Sequence, residues 1–453
     1  MSNQPSTKNI TLVLFHNDLR VADNATLSKA ADLSINGRLL LIYAPSLTNN
    51  LDEKGSRQPY YYDTMGHARQ RFLSQSLEAL DASLMQLGNR LLYLQNNLAT
   101  LDTFTQLNDL IQQQHVTDIC VSQTADYDQN QVYKRLQEQN PQVCWHVQAT
   151  ATLFDKLPLD DLPKSFTAFR KKIESNYDLL QAKEDIVICP NPKSLPPMPE
   201  TLRDSRKYFF VAPMFDEPTF DETSQQLPDF KGGEPNGLEH LEAYFGSDAP
   251  STYKTTRNAL DDWTHSTKLS AWLANGSLSV NMVLNRLRHY ERDIIANDST
   301  YWIWFELLWR EYFYWYAVVH QQKLFWFKGI GQHIPATQLD QKLLEQWQNG
   351  TTRYPIVNAC MKQLNTTGYM SNRGRQLVAS CFIHELGLDW RYGATYFEQR
   401  LIDYDVASNW GNWQYLAGVG ADPRGGRQFN LNKQTEQYDP NGEFIGKWQG
   451  EVG

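Results

Sequence analysis

The chain has 453 residues, of which 41% are hydrophobic and 21% charged, and its net charge is −9. This length exceeds one ordinary core and predicts two domains joined by a connection. No apolar run reaches the roughly 20 residues of a membrane-spanning helix, and the polar segment 1–9 lacks the apolar stretch of a signal peptide. We therefore expect a cytoplasmic protein.

The negative charge is concentrated in one part of the chain. Residues 174–252 carry 15 acidic and 6 basic residues, whereas the remainder is neutral. A neutral remainder leaves room for a local positive face, so the net charge does not exclude a nucleic-acid partner.

The first 150 residues alternate between strand-like and helix-like patterns. Helical stretches lie between the strands at about 60–87, 102–114 and 130–139. This alternation predicts an α/β, Rossmann-like domain with a parallel sheet over residues 1–150. The first strand is followed by Phe-His-Asn-Asp-Leu-Arg at 15–20, not by a GxGxxG turn, which argues against a standard dinucleotide site. The predicted strands are 10–15, 38–44, 90–94, 117–122 and 142–147.

A proline-rich stretch follows. Residues 174–252 hold half of the 20 prolines, which predicts a long, mostly irregular surface connection, placed at residues 151–250. Beyond residue 250 helical periodicity dominates, so we expect an all-α domain over 251–430 and a short tail over 431–453.

Tryptophan is unevenly distributed, since 12 of the 13 tryptophans follow residue 250. A large core explains this by itself, and electron conduction to a buried redox cofactor is the alternative. The five cysteines are widely spaced and form no CxxC pair. They predict buried free thiols and no metal site.

A carboxylate lies among aromatic residues at 302–313. At helical spacing Trp302, Glu306, Trp309 and Phe313 share one face, with Arg310 beside them. Burying a carboxylate there is costly unless it is paired or keeps its proton. The segment is therefore either a core helix with Glu306 bound to an arginine, or a helix carrying a protonated acid.

Two segments suit phosphate contacts. Asn372, Arg373 and Arg375 lie close together at a predicted helix start, and hydroxyls alternate with Lys268 across residues 266–270. Such groups bind phosphate or bases, and a solvated turn and an N-capping box are the respective alternatives.

Two carboxylates spaced i, i+2, Asp403 and Asp405, resemble metal ligands. Hard cations need more oxygen ligands than the neighbouring sequence offers. Hydrogen bonding to a sugar or a flavin ring and helix capping are the other interpretations.

In their order and joint presence, these segments resemble the photolyase/cryptochrome family, and within it the DASH-type cryptochromes. The resemblance covers nearly the whole chain. It begins at 15–20, passes through 166–172, and is strongest over 253–415.

The resemblance implies that the helical domain binds FAD in a bent conformation. Asp403 and Asp405 are expected at the adenosine ribose and flavin ring, and Asn409 at flavin N5. Arg375 is expected to pair with an aspartate near the flavin. The residues expected at the diphosphate are Tyr253, Ser266, Thr267, Lys268, Leu269 and Ser270.

The family reaction is light-driven splitting of cyclobutane pyrimidine dimers in DNA. The resemblance implies that Trp309 packs against the flipped-out lesion and that Glu306 hydrogen-bonds or protonates the dimer carbonyl. The residues expected at the DNA are Trp309, Asn372, Arg373, Gln376 and Tyr415.

Two departures favour the DASH branch. Tyr415 stands where double-strand photolyases usually have a second tryptophan, and Gln376 where they usually have methionine. The flatter, more polar pocket stabilises an extruded base less, which predicts a preference for dimers in single-stranded DNA.

The resemblance also implies an electron relay and an antenna. Trp413 and Trp390 match the first two relay tryptophans, whereas Thr337 occupies the third position, for which Trp347, Trp326 or a tyrosine could substitute. Methenyltetrahydrofolate is the usual antenna, and Gln123, standing where a glutamate usually contacts it, predicts weakened binding.

Two other functions compete with repair. A blue-light sensor that binds DNA or a partner is one, although few residues follow Tyr415 to form a signalling tail. A dark flavin oxidoreductase is the other, and the sequence has no nicotinamide fingerprint to support it. We expect a monomer.

Overall fold

The computed structural model of the protein describes residues 9–45, 65–94, 102–176, 186, 188–203, 208, 230–331, 334–421 and 426–450. Among these residues, no helix is both long enough and apolar enough to cross a bilayer.

The N-terminal half is built on a five-stranded parallel sheet in the order β3-β2-β1-β4-β5. The predicted strands are confirmed within about two residues, because short aliphatic runs buried on both faces are typical of parallel sheets. The strands are β1 Ile10–Phe15, β2 Arg38–Tyr43, β3 Leu91–Tyr93, β4 Asp118–Ser122 and β5 Cys144–Gln148.

Helices connect these strands in the predicted alternation. Asn24, Asp102 and Asp126 cap three of them through side-chain oxygens that accept backbone N–H groups. The predicted helix at 60–87 begins at His67, and residues 60–64 lie outside the described part of the chain. The helices are Ala25–Leu33, His67–Gln86, Thr103–Gln113 and Tyr127–Gln139.

The connection over residues 151–250 is more helical than predicted. Leu241 and Phe245 of one of its helices are buried against the C-terminal core. The prolines misled the prediction because Pro235 lies in the first turn, where its missing N–H breaks no helical hydrogen bond. The helices of this region are Phe166–Glu174, Glu200–Arg203, Glu234–Phe245 and Ala249–Thr256, the last crossing residue 250.

The C-terminal half is helical, as predicted. Its longest helix, Asp298–His320, starts with a capping box in which Asn297 and Thr300 exchange hydrogen bonds. The others are Ser270–Ala274, Val280–Asp293, Gln341–Asn349, Pro355–Thr367, Asn372–Ser380, Trp390–Arg400, Val406–Ala417, Leu431–Tyr438 and Glu443–Lys447, with a 3-10 turn at Gln321–Phe325 and a π-helical turn at Cys381–Glu385.

Buried polar groups join the two halves. The Arg20 guanidinium is 1% exposed and donates to the carbonyl oxygens of Gly276 and Thr150, at 2.9 and 2.8 Å. Glu234 accepts the backbone N–H groups of Val21 and Ala22, each at 2.8 Å. Because each group would be costly to bury without its partner, these bonds fix the helical half against the sheet.

Buried Glu311 anchors the long helix to the segment that follows the sheet. Its carboxylate accepts the backbone N–H of Leu153 at 2.8 Å and the indole N–H of Trp315 at 2.6 Å. Arg310 beside it donates to the Ala151 carbonyl at 2.5 Å. The chain leaving the sheet is therefore held directly beneath the helix that carries Glu306.

The prediction of buried thiols is correct for Cys120, Cys360 and Cys381. It is wrong for Cys144, which is exposed because it begins the edge strand β5, and Cys189 is half-buried.

Candidate functional site

A cavity of about 390 Å³ opens in the helical half. Its walls come from the Ala249–Thr256, Asp298–His320, Asn372–Ser380 and Val406–Ala417 helices and from residues 266–274. Fourteen of the predicted site residues line it, namely Tyr253, Ser266, Thr267, Lys268, Leu269, Ser270, Glu306, Trp309, Asn372, Arg375, Gln376, Asp403, Asp405 and Tyr415.

One end of the cavity is a polar turn. Lys268 has a left-handed backbone with φ of 53°, is 6% exposed, and donates from Nζ to the Ser266 hydroxyl at 2.8 Å. Non-glycine residues adopt this backbone at some cost, and such residues cluster at binding sites. Behind the turn, the His240 ring bonds to the Thr267 carbonyl at 2.8 Å, and burial lowers the pKa of His240.

A buried ion pair crosses the cavity wall. Arg375 Nη2 donates to both oxygens of Asp403, at 3.0 and 2.8 Å, and the Asp403 side chain is 1% exposed. The expected pairing of Arg375 with an aspartate is therefore present. Asp403 does not cap the helix that follows.

Asp405 takes that capping role, because its carboxylate accepts the backbone N–H of Ser408 at 2.7 Å. It still lines the cavity. The capping interpretation is correct for Asp405 and wrong for Asp403.

Another part of the cavity lining is aromatic and holds Glu306. Arg257 Nη1 donates to Glu306 Oε1 at 2.6 Å, and the Glu306 side chain keeps 31% exposure. Burial raises the pKa of Glu306, whereas the positive charge of Arg257 acts in the opposite direction. Both interpretations of this helix apply in part, because Glu306 is paired with an arginine and its raised pKa also favours the protonated form.

Trp309 is fixed by stacking. Its ring lies 3.8 Å from that of Phe166, centroid to centroid, at an interplanar angle of 15°. Phe313 stacks at 5.3 Å, and Tyr415 meets Trp309 edge-on at 5.8 Å. A flat indole held this firmly beside Glu306 suits stacking on a planar base.

Sequence reasoning missed several polar residues of the cavity, three of which bear on its chemistry. Arg257 holds Glu306, Arg427 lies 4.7 Å above the Tyr415 ring, and Asn412 lines the wall. Arg257 and Arg427 lie far from their partners in sequence, so no local spacing marks them. Asn412 could have been found, because it lies three residues after Asn409 on the same helix.

Apart from the two relay tryptophans, two predicted site residues do not line the cavity. Asn409 is 9% exposed and donates from Nδ2 to the Ala394 carbonyl at 2.9 Å. Arg373 turns toward the C-terminal helices, with its guanidinium 4.9 Å above the Tyr438 ring and bonded to Asn258 at 3.1 Å. Their expected contacts with flavin N5 and DNA stay predictions.

The two relay tryptophans lie behind the cavity wall. Trp413 is 2% exposed and packs against Phe382 and Phe397, and Trp390 is 1% exposed and meets Trp410 edge-on. A Cβ on Gly393, one turn after Trp390, would lie 2.2 Å from the Trp413 ring. Gly393 therefore lets the Trp413 ring lie directly against the helix that carries Trp390.

The groups present fit FAD. Lys268 and the hydroxyls of residues 266–270 suit a diphosphate, and the carboxylates of Asp403 and Asp405 suit ribose hydroxyls and a flavin N–H. Leu273 and Phe313 supply apolar wall for fused rings. Apart from Asn409, the residues named from the sequence for this cofactor line the cavity that would hold it.

The chain matches two family models. The model of DNA photolyase covers residues 11–192, and the model of the FAD-binding domain of DNA photolyase covers residues 302–452. The polar turn at 266–270 lies between these two matches.

Known relatives cover nearly the whole chain. A DASH cryptochrome of Vibrio parahaemolyticus is 49% identical over 98% of this chain and 94% of its own length. The crystal structure of a Synechocystis cryptochrome superposes with a TM-score of 0.82 at 35% identity, covering 99% of this chain and 89% of the other. A class III photolyase of Agrobacterium tumefaciens gives 0.76 at 26% identity, covering 99% and 88%. The chain therefore belongs to the FAD-binding photolyase/cryptochrome family, among the DASH cryptochromes.

Proposed function

We propose that this protein uses blue light to split cyclobutane pyrimidine dimers and that it prefers single-stranded DNA. The observation that carries the proposal is the cavity itself. Its polar end suits FAD, and its aromatic end holds an acid with a raised pKa beside a fixed indole. Both groups of residues line the same cavity, which supports a light-absorbing cofactor held next to a surface for stacked bases.

Bound FAD, in its fully reduced form, would supply on illumination the electron that opens the dimer ring and would take it back once the ring has split. Asp403, fixed by Arg375, and Asp405, fixed by its cap, would hold the ribose and flavin with little reorganisation. Lys268 would meet the diphosphate charge. The buried Trp413 and Trp390 rings would form the inner part of a relay that passes electrons to the oxidised cofactor and so reduces it.

Glu306 has the chemistry that the opening dimer needs. In its protonated form it donates a hydrogen bond to a pyrimidine carbonyl, where negative charge develops after electron uptake. Arg257 adds positive charge at the same position, 2.6 Å from the carboxylate. The acid and the guanidinium together stabilise the negative charge on the lesion.

The preference for single strands follows from the lesion end of the cavity. Tyr415 meets Trp309 edge-on, and Gln376 adds a polar side chain to the wall. A tyrosine offers less stacking area than a tryptophan, so less energy is available to pull a dimer from a duplex. A dimer in a single strand needs little of that energy.

The test uses an irradiated oligothymidylate, free or annealed to its complement. Blue light should restore its absorbance in the single strand and far more slowly in the duplex. Glu306→Ala should retain FAD, seen as absorption near 450 nm, and lose most of the repair yield. Equal repair of both substrates would contradict the strand preference. Unchanged repair in Glu306→Ala would contradict the role of that acid.

The electron relay has its own test. Trp413→Phe and Trp390→Phe should each bind FAD normally and slow its photoreduction by an external thiol, because phenylalanine is far harder to oxidise than an indole. Tyr396→Phe, a conservative change at a buried ring outside this pair, is the control. Normal photoreduction in both tryptophan variants would refute the relay.

The folate antenna stays a separate proposal. Gln123 follows β4, at the edge of the sheet where the parallel strands end, and its backbone N–H donates to the Gln148 carbonyl at 2.8 Å. An amide keeps an acceptor but loses the charge of a glutamate. Equilibrium dialysis with methenyltetrahydrofolate should show tighter binding in Gln123→Glu.

A further inference from the structure

Trp390 cannot be the end of an electron relay. Its ring is 1% exposed, and its Nε1 donates to the Phe327 carbonyl at 3.0 Å. A backbone carbonyl takes up no proton, so an oxidised Trp390 has no local way to lose its charge. Thr337, close by through the Gln338–Asp389 hydrogen bond, has no oxidisable ring. A positive charge on Trp390 would return inward unless another aromatic residue accepts it.

Trp410 is such a neighbour. Its ring lies 5.7 Å from that of Trp390, centroid to centroid, and is fully buried. The Trp410 indole N–H points at two acceptors, Glu398 Oε2 and Tyr404 Oη, each at 3.3 Å. The Glu398 carboxylate and the Tyr404 hydroxyl are therefore both within hydrogen-bond distance of the same indole nitrogen.

Tyr404 brings this cluster to the surface, because its side chain is partly exposed. The Arg69 guanidinium lies 4.7 Å above the Tyr404 ring. A cation in that position opposes positive charge on the ring, so the phenol can lose an electron only if its proton leaves as well. Glu398 supplies a carboxylate to take that proton.

We propose that Trp410, Tyr404 and Glu398 form the exit of the electron relay, with Tyr404 as its terminal donor. The inference rests on the proposed function, in which light-excited FAD oxidises Trp413. One electron then passes from Trp390 to Trp413, one from Trp410 to Trp390, and one from Tyr404 to Trp410. The Tyr404 proton passes to Glu398. The net result is a neutral Tyr404 phenoxyl radical and a protonated Glu398, and an external thiol reduces the radical.

A second chain of aromatic rings also leads away from Trp413, but it ends without a base that could accept a proton. Trp347 lies 6.3 Å from Trp413, and Tyr396 lies 5.6 Å from Trp347. Tyr396 is 4% exposed, and its hydroxyl donates to the Asn365 amide oxygen at 2.6 Å. An amide oxygen is not a base that could hold the phenol proton. Of these two branches, the Tyr404 branch is the one with both a base and access to solvent reductants.

The experiment follows radicals in the FAD-loaded protein after a blue flash, by transient absorption and electron paramagnetic resonance. The unaltered protein should give a neutral phenoxyl signal whose hyperfine pattern changes when its tyrosine is deuterated. Tyr404→Phe should lose this signal and photoreduce more slowly. Trp410→Phe should lose it too, although Tyr404 is present. Glu398→Gln should delay it, because the proton acceptor is gone.

Matched controls are Tyr396→Phe and Trp326→Phe, the latter at a ring that is 39% exposed and lies outside the proposed route. Both should keep the phenoxyl signal. A signal that persists in Tyr404→Phe, or disappears in Tyr396→Phe, overturns the inference. Normal photoreduction in Trp413→Phe would refute the underlying relay. Loss in Trp413→Phe with an unaffected signal in Tyr404→Phe refutes only the exit.

Discussion

The two halves of the molecule differ in what they bury. Aliphatic side chains dominate both cores of the sheet half, as in β1 and β2, whose central residues are almost all leucine, isoleucine or valine. The helical core instead buries eight tryptophans, together with many tyrosines and phenylalanines. The aliphatic side chains of the sheet half contribute packing and no further chemistry. The helical half packs with residues that also stack on bases, carry electrons and shift the pKa of an acid.

The strongest way to test this contrast is to break an ion pair in each half. Asp403→Asn leaves Arg375, whose side chain is 25% exposed, facing a neutral partner in the cavity wall, which should cost about 1.5–3 kcal/mol and release FAD on desalting. The matched change in the sheet half is Glu200→Gln, which removes the partner of Arg38 where the acid is 73% exposed. That change should cost about 0–1 kcal/mol. Urea unfolding of both variants gives the comparison, and equal costs would contradict it.

A smaller effect is expected from one methyl group. Gly393→Ala places a Cβ 2.2 Å from the Trp413 ring. Overpacking of this kind should cost about 1–3 kcal/mol and disturb the relay. Near-ultraviolet circular dichroism would report the displaced indole. Gly331→Ala is the control, because its nearest neighbour would lie 3.5 Å away. Identical spectra and stabilities for the two variants would show that the Trp413 ring can move to accommodate the added methyl group at little cost.

Acids in the two halves should respond oppositely to pH. Burial raises the pKa of Glu306 above 4.5. If the protonated form acts, the repair yield rises as the pH falls through that raised pKa, and Glu306→Gln removes the dependence. A wild-type yield that stays flat across this range would contradict the prediction.

Asp102 is the counterpart in the sheet half. Partial burial acts to raise its pKa, but hydrogen bonds from Thr105 prevail and hold it below 3.8. Its stabilising contribution is present above the unfolded-state pKa and is lost as the pH falls through the lower folded-state pKa. Asp102→Asn should therefore destabilise the protein at neutral pH, and the difference should disappear in acid, as measured by urea unfolding at several pH values.

The smallest effect concerns the cysteines. Burial raises the pKa of Cys120 to about 12, and it raises those of Cys360 and Cys381 as well. Iodoacetamide should therefore label the exposed Cys144 in the native protein and spare these three. Mass spectrometry of the digested protein gives the sites. Labelling of Cys360 ahead of Cys144 would mean that the helical core opens more readily than the sheet edge.

The sequence predicts the sheet well because its signals are local. Runs such as Leu39 to Ile42 bury every side chain, and their length and composition mark a strand without knowledge of the partners. The helix Glu234–Phe245 was missed because prolines and acids suggested an exposed connection. Its burial depends on the C-terminal core, which no local pattern reveals.

The site residues also divide into those that local sequence reveals and those that depend on tertiary contacts. The polar turn, the Glu306 helix and the carboxylates at 403 and 405 were recognised, because each carries its chemistry within a few residues. Arg257 was not recognised as the partner of Glu306, 49 residues away, nor Arg427 as the cover of Tyr415. The direction in which Arg373 points also depends on tertiary contacts with the C-terminal helices.

The bond between Leu153 and Glu311 limits how this protein can be divided. The acid is 1% exposed, and one of its two partners belongs to the segment that leaves the sheet. A fragment beginning at residue 251 would keep every cavity residue named from the sequence and would still lack that donor, as well as the Phe166 ring beneath Trp309. Catalytic and scaffolding sequence are thus interleaved, and a transplanted cofactor module would have to include the stretch from residue 150 onward.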